Sequence, residues 1–495
     1  MADFGTVELL GRRIETHSKP GSGPSLRGNH DGRCASGCGR AKYLYNHCAS
    51  HGVVTMEREV HQWIDNKEDE MIDFLKEYIS YRSPTEHEEE VQREHVEPFF
   101  REEMDWDEVE VVDITDDQDR PNINGRLEGS GSSDGRNLLF NGHSDVVDVT
   151  EEDEKRWTKD PWDPVIENGN LYGRGSNDMK GPNTAMMWAV KAIMESDVEL
   201  SGDLMMSVVV GEELDQQEFG SIPATNTHLE KTDDIPICLN TEPTNNEIHT
   251  KSAATFDFTV EIDGKDIHTS QKNLTQYPQR YGVPQGQDVG VDAAEIMVDI
   301  LNAFDELEHQ WNMRFRDEIY GGGGIPRPDV QGLGPVGINC TIMEAGDYIA
   351  AIPGHAKIEG HVFYPPMADD EELWTEMQDA VESLATTNDW LKDNPPEMSW
   401  KDVFDWPPFD VSPDHPACET LGRAYQDVTE KPPVFSGFKA VADNGYIQRD
   451  CGVDTISIGP GDISMGAHGP DEYIPLDQFI NATKVYSSLI TRWCQ

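Results

Sequence analysis

The sequence predicts an α/β protein, and three features of the chain predict it. Apolar runs of strand length, Leu138–Phe140, Leu204–Val210, Ile235–Leu239 and Thr455–Ile458, each lead toward a residue able to bind a metal ion. Segments with helical character separate them: Val60, Trp63, Ile64, Met71, Phe74, Leu75 and Ile79 recur at helix spacing, and Ala185–Met194 is helix-like. Finally, 226 residues separate Glu242 from His468, room for a second unit with its own pattern.

The first run ends in Asn141-Gly142-His143-Ser144-Asp145. It reads as a strand whose carboxyl end, where ligands gather in open α/β sheets, carries the site. Asp145 lies two residues on, suited to accept the other ring N–H of His143 and fix its tautomer. By itself His-x-Asp also fits a surface turn. The second segment is Gly173-Arg174-Gly175-Ser176-Asn177-Asp178-Met179-Lys180-Gly181. Its glycines permit a tight turn around a ligand; a helix-capping Asp is the competing reading. The third ends in Gly211-Glu212-Glu213. Neighbouring side chains diverge, so one carboxylate can bind metal while the other moves a proton. The fourth ends in Thr241-Glu242-Pro243, and the last is followed by His468-Gly469-Pro470-Asp471-Glu472.

Three carboxylates and two imidazoles form a donor set that suits two divalent cations. With Asp178 between the ions, each keeps an open position, where a bound water falls from a pKa of 15.7 toward ~7 and becomes a nucleophile. The residues therefore predict a two-metal hydrolase.

In order and spacing these motifs resemble the dinuclear zinc amidohydrolase and peptidase family of acetylornithine deacetylase, succinyl-diaminopimelate desuccinylase, aminoacylase and glutamate carboxypeptidase, from Met56 to Gln495. The resemblance implies a zinc-exopeptidase-like catalytic domain, a mixed sheet flanked by helices, over 56–250 and 366–495. It implies an inserted, smaller α+β lid and dimerisation domain over 251–365. It puts His143 and Glu242 on one metal, Glu213 and His468 on the other, and Asp178 between them. Glu212 becomes the general base and acid, Asp145 the orienter of His143, and Asp178–Met179 a cis peptide. His268, in the pattern Gly264-x-x-x-His268, is then the residue that reaches into a partner's site in a homodimer. The implied cofactors are two divalent ions, zinc first, with cobalt or manganese as alternatives. The insertion itself reads as a strand over Phe256–Ile262, a helix around Asp292–His309, and strands near Gly337–Ile342 and Ala356–Phe363.

One departure bears on the substrate. Many relatives clasp a substrate carboxylate with an Arg on the last lid strand, but here that strand reads Ile358-Glu359-Gly360-His361-Val362-Phe363-Tyr364. His361, Lys439 or the amides of Gly459 and Gly461 are the candidate substitutes. The expected reaction is hydrolysis of a small N-acylated amino acid, of the acetylornithine deacetylase or succinyl-diaminopimelate desuccinylase type. A dipeptidase or carboxypeptidase is the alternative and a non-catalytic binding protein a more distant one.

Composition narrows the setting. With 94 acidic against 39 basic residues and a net charge of −55, the surface repels nucleic acid and anionic membranes. Self-repulsion of this size is tolerable where salt screens it, the Debye length being ~3 Å at 1 M, so a halophilic source is expected. The lack of an 18-residue apolar run or a secretory signal predicts a cytoplasmic protein. Residues 1–55 differ, with seven bases against four acids and no periodicity. They are expected to be a disordered extension or a start placed too early; the spacing of Cys34, Cys38, Cys48 and His51 is irregular for a zinc knuckle.

Overall fold

The computed structural model describes residues 49–114, 119–131, 135–232, 234–271, 290–317, 336–401, 405–438 and 440–495. The cysteines Cys34, Cys38 and Cys48 of the N-terminal extension, and Lys439, lie outside the described residues.

The larger sheet has eight strands in the spatial order Glu108–Val112, Asn122–Leu127, Leu204–Val209, Leu138–His143, Cys238–Asn240, Thr455–Ser457, Ile248–Ser252, Phe435–Phe438. Its centre is parallel: Leu138–His143 runs parallel to both Leu204–Val209 and Cys238–Asn240, and Thr455–Ser457 parallel to Cys238–Asn240. Antiparallel pairs at Asn122–Leu127 and Ile248–Ser252 make the sheet mixed. The central strands are buried on both faces, which is why they read as continuous apolar runs. Alternation divides them: Leu138, Phe140, Leu204 and Met206 join a core with the helices Lys180–Met194 and Leu476–Cys494, while Leu139, Met205 and Cys238 pack with Ile447 and Val453 on the other face.

The amphipathic stretch Val60–Ile79 forms two helices, Ala49–Asn66 and Glu68–Ser80, separated at Lys67, whose φ and ψ of −107° and 6° are not helical. The helix foreshadowed by Ala185–Met194 begins earlier, at Lys180, directly after the Asp178 loop.

A second sheet, antiparallel throughout, has the order Gly337–Ala345, His355–Tyr364, Ala254–Asp263, Glu397–Lys401. The helices Ala293–Arg314 and Asp370–Ser383 complete a separate hydrophobic core with it. Asp369 caps the latter helix by accepting from the Glu372 amide at 2.9 Å, and three acids fill its first turn. This core runs well past residue 365, where the sequence expectation ended the insertion, because Glu397–Lys401 pairs with Ala254–Asp263 and Met398 and Trp400 pack against it. Opposite Phe258, Gly360 leaves the space the ring needs: a Cβ there would sit 2.2 Å from Phe258 Cζ. Phe258 is fully buried and meets Phe304 edge-on at 5.6 Å. Phe258→Ala should therefore destabilise the protein by about 3–5 kcal/mol, read as a lower denaturant midpoint. Loss below ~1 kcal/mol would mean that this core contributes little to the cooperative unit.

Candidate metal centre

The parallel registers bring the site together. His143 stands opposite Val209 and Asn141 opposite Asn240, so three adjacent strands end within two residues of one another. Beyond Val209 the chain turns at Gly211, whose φ of +85° suits a residue without Cβ. Glu212 and Glu213 then share one short 3₁₀ turn. Asp178 arrives on the loop before the helix Lys180–Met194, and its peptide to Met179 is cis. His468 arrives on the loop that follows Thr455–Ser457, with φ at +58°.

All five candidate ligands and Glu212 meet there. The two oxygens of Asp178 face different histidines: Oδ1 is 3.4 Å from His143 Nε2 and Oδ2 is 3.3 Å from His468 Nε2. Glu213 Oε2 lies 3.1 Å from His468 Nε2, and Glu242 Oε1 lies 3.8 Å from His143 Nε2. Glu212 Oε2 is 3.6 Å from the same nitrogen of His143. Two groups, His143 with Asp178 and Glu213, and His143 with Glu212 and Glu242, each present one ligand atom per residue within 4.8 Å of one another.

Other candidates are placed differently. The main-chain carbonyl of Asp145 accepts from His143 Nδ1 at 3.0 Å, whereas its carboxylate is 3.6 Å away. That carboxylate takes the amides of Glu212 at 3.3 Å and Glu213 at 3.0 Å, and the Thr85 hydroxyl at 2.8 Å. Asp145 thus orients His143 through its backbone and the Glu212–Glu213 turn through its side chain. His268 is exposed on a two-stranded ribbon with Ala351–Ile352, and its Nδ1 meets the Ser270 hydroxyl at 2.9 Å. Among the described residues it makes no hydrogen bond or ion pair with the cluster of its own chain. His361 is engaged with Asp257 at 2.7 Å in the second sheet. The amides of Gly459 and Gly461 donate to Thr244 Oγ1 and Gln478 Oε1, at 3.0 and 2.9 Å. They are therefore not open to a substrate carboxylate. A Cβ on Gly459 would lie 2.3 Å from the Glu242 carbonyl, so its bareness lets the two ligand loops touch.

Sequence reasoning missed two buried carboxylates. Glu472 accepts from the amides of Asn177 and Asp178 and from Arg174. Asp443 accepts from Asn141 Nδ2 at 2.9 Å, while its Oδ1 has no hydrogen-bond partner among the described residues. In a chain with 94 acids neither stands out; only a position shortly after a candidate ligand, as for Glu472, offered a signal.

The electrostatics fit bound cations. Burial raises the pKa of Glu212, Glu213 and Glu242, and neighbouring carboxylates raise each further. Burial also pushes Asp178 up, but hydrogen bonds from His143 and His468 more than reverse this and hold it far below the usual range. Burial works against a charged His143, yet Glu212 and Asp178 push its pKa well above the ordinary value. Burial and mutual repulsion thus both disfavour the charged form of the three glutamates. Glu242 Oε1 is buried without a hydrogen-bond partner among the described residues. Divalent ions would supply the charge and fill that acceptor, and the imidazole and carboxylate donors suit them.

The sequence model of peptidase family M20/M25/M40 matches residues 139–492, a span that contains all five candidate ligands. The chain belongs to this family. It is similar to N-formyl-4-amino-5-aminomethyl-2-methylpyrimidine deformylase of Bacillus subtilis (strain 168), 29% identical over 383 residues, 76% of this chain and 83% of the relative. It is also similar to a probable succinyl-diaminopimelate desuccinylase of Staphylococcus epidermidis (strain ATCC 35984), 24% identical over 376 residues, 72% of this chain and 84% of the relative. The dipeptidase Dug1p of Saccharomyces cerevisiae shares the fold, with a TM-score of 0.64 at 15% identity over 88% of this chain and 98% of that one. This M20 chain is accordingly a metal-dependent hydrolase of amide bonds. Among the described residues no helix is long and apolar enough to cross a membrane.

Proposed function

We propose that this M20 chain removes the acyl group from a small N-acylated amine, and that a formyl group on an amine without a neighbouring carboxylate is its preferred substrate. One observation carries the choice: His355–Tyr364 holds no Arg, and His361 on that strand is already paired with Asp257. The committed amides of Gly459 and Gly461 support it, since they leave an N-acyl amino acid without these readers of its carboxylate. The compound named in the Bacillus subtilis relative, an N-formyl aminomethylpyrimidine, contains no carboxylate. The expected N-acyl amino acid, as in the desuccinylase relative, is the second reading.

In this proposal His143 and Glu242 would hold one divalent ion, Glu213 and His468 the other, and Asp178 would serve both. When bound, such ions polarise the amide carbonyl and acidify water, and zinc leads cobalt and manganese for this donor set. Glu212 takes the proton from the attacking water and delivers it to the leaving nitrogen. Asp145 holds the Glu212 amide and so fixes where the base points.

The test is amine release by metal-loaded protein in high salt, from N-formyl, N-acetyl and N-succinyl derivatives of simple aminomethyl heteroaromatics and of amino acids, beside dipeptides. Preferential turnover of formylated amines supports the proposal. Preference for acyl amino acids would establish the second reading, and turnover of dipeptides alone would move the chain to the peptidases.

The proposal extends to a cytoplasmic, salt-adapted homodimer. Among the described residues the edge strand Gly337–Ala345 pairs on one side only, with His355–Tyr364, and leaves Ile342 and Met343 about half exposed; Ile349 is 96% exposed. Such an apolar open edge favours a partner. Light scattering in high salt measures the mass; a monomer at micromolar concentration would remove the role proposed for His268.

A further inference from the structure

We infer that Glu472 is a positioning residue that clasps the Asp178 loop to the His468 loop and so sets the separation of the two metal positions. The inference rests on the ligand assignment proposed above.

Glu472 is fully buried and lies four residues after His468. Its Oε1 accepts two consecutive main-chain amides, those of Asn177 at 2.9 Å and Asp178 at 3.0 Å. Its Oε2 accepts from Arg174 Nη1 at 2.6 Å, on the same loop. The Glu472 carbonyl takes the Gly173 amide at 3.0 Å, and the next residues, Tyr473–Pro475, pair antiparallel with Asn170–Tyr172. One residue therefore holds the loop from Gly173 to Asp178 by its backbone at one end and its carboxylate at the other. Asn177 adds a second tie, its side chain exchanging hydrogen bonds with the Asp462 backbone at 2.9 and 3.0 Å.

The arrangement matters because Asp178 must offer one oxygen to each side. Rotation or withdrawal of its backbone would keep one contact and lose the other. Carboxylate acceptors bind amide donors about twice as strongly as neutral ones, so the charge on Glu472 stiffens the point where Asp178 leaves the main chain. Arg174 neutralises that buried charge and packs on Trp157, with its guanidinium 5.5 Å from the ring centroid. Neither residue touches the reacting atoms in this assignment.

The experiment is calorimetric titration of the metal-free full chain with Zn²⁺, for wild type, Glu472→Gln and Glu472→Ala, with the visible spectrum of each chain loaded with Co²⁺. Wild type should take up two equivalents. Glu472→Gln keeps an acceptor but loses its charge, and Glu472→Ala loses both. Affinity for the second equivalent should fall in the order wild type, Gln, Ala, with Ala reduced by about 10- to 100-fold, and the Co²⁺ spectrum should change with it. A merely structural role would lower the melting temperature and leave the affinity and spectrum of the folded chain unchanged; that result would overturn the inference. Should the Ala variant not fold, wild-type Zn²⁺ affinity in the Gln variant would overturn it equally. A wild-type chain that binds no Zn²⁺ would refute the ligand assignment, and the clasp with it.

Discussion

Glu212→Gln is expected to lower kcat for amide hydrolysis by about 10²- to 10⁴-fold while uptake of divalent ions stays near that of the wild type. The variant keeps the volume and polarity of the side chain but cannot accept or return a proton. Glu212 is buried, 3.6 Å from His143 Nε2, and its amide is held by Asp145. It stands beside the candidate ligands, so an isosteric change should leave their positions alone. Single-turnover measurement of amine release separates the chemical step from binding. A variant with full activity would transfer the proton role to another group; one that binds no metal would make Glu212 a ligand, as its place in a group with His143 and Glu242 allows.

Asp178→Ala is expected to reduce ion uptake from two equivalents to one or none and to abolish hydrolysis. Asp178 has one oxygen toward His143 and the other toward His468, on the two sides of the cluster. Without it the two sides share no donor, and each would hold its cation with one imidazole and one carboxylate. Metal content after gel filtration is the readout. His361→Ala serves as the control because His361 belongs to the second sheet, where it pairs with Asp257. Two tightly held ions in Asp178→Ala would exclude the bridging assignment.

Both variants alter residues that could be read from the chain because local pattern and chemistry coincide at them. A strand buried on both faces and apolar in five of its six residues gives little room to charge, so a carboxylate pair just after Leu204–Val209 stands out. The same holds for His143 after Leu138–Phe140 and for Glu242 after Cys238–Asn240. Boundaries were less legible. The break at Lys67 occurs within an uninterrupted amphipathic pattern, and Glu397–Lys401 joins the second sheet through its pairing with Ala254–Asp263, a contact across more than a hundred residues.

By itself the sequence determined the α/β class, the strands that lead to the candidate ligands, and the donor types gathered there, because strand periodicity and donor type are local properties. The tertiary structure decided how the side chains around them are used. It turned Asp145 toward the amides of Glu212 and Glu213 and left the His143 ring to a backbone carbonyl. It committed Gly459 and Gly461 to Thr244 and Gln478 and tied His361 to Asp257. It also buried Glu472 against the Asp178 loop. Each of these rests on a hydrogen bond whose partner is chosen by distance and direction in the folded chain. Composition and spacing record the donors and acceptors, and only packing determines which of them meet.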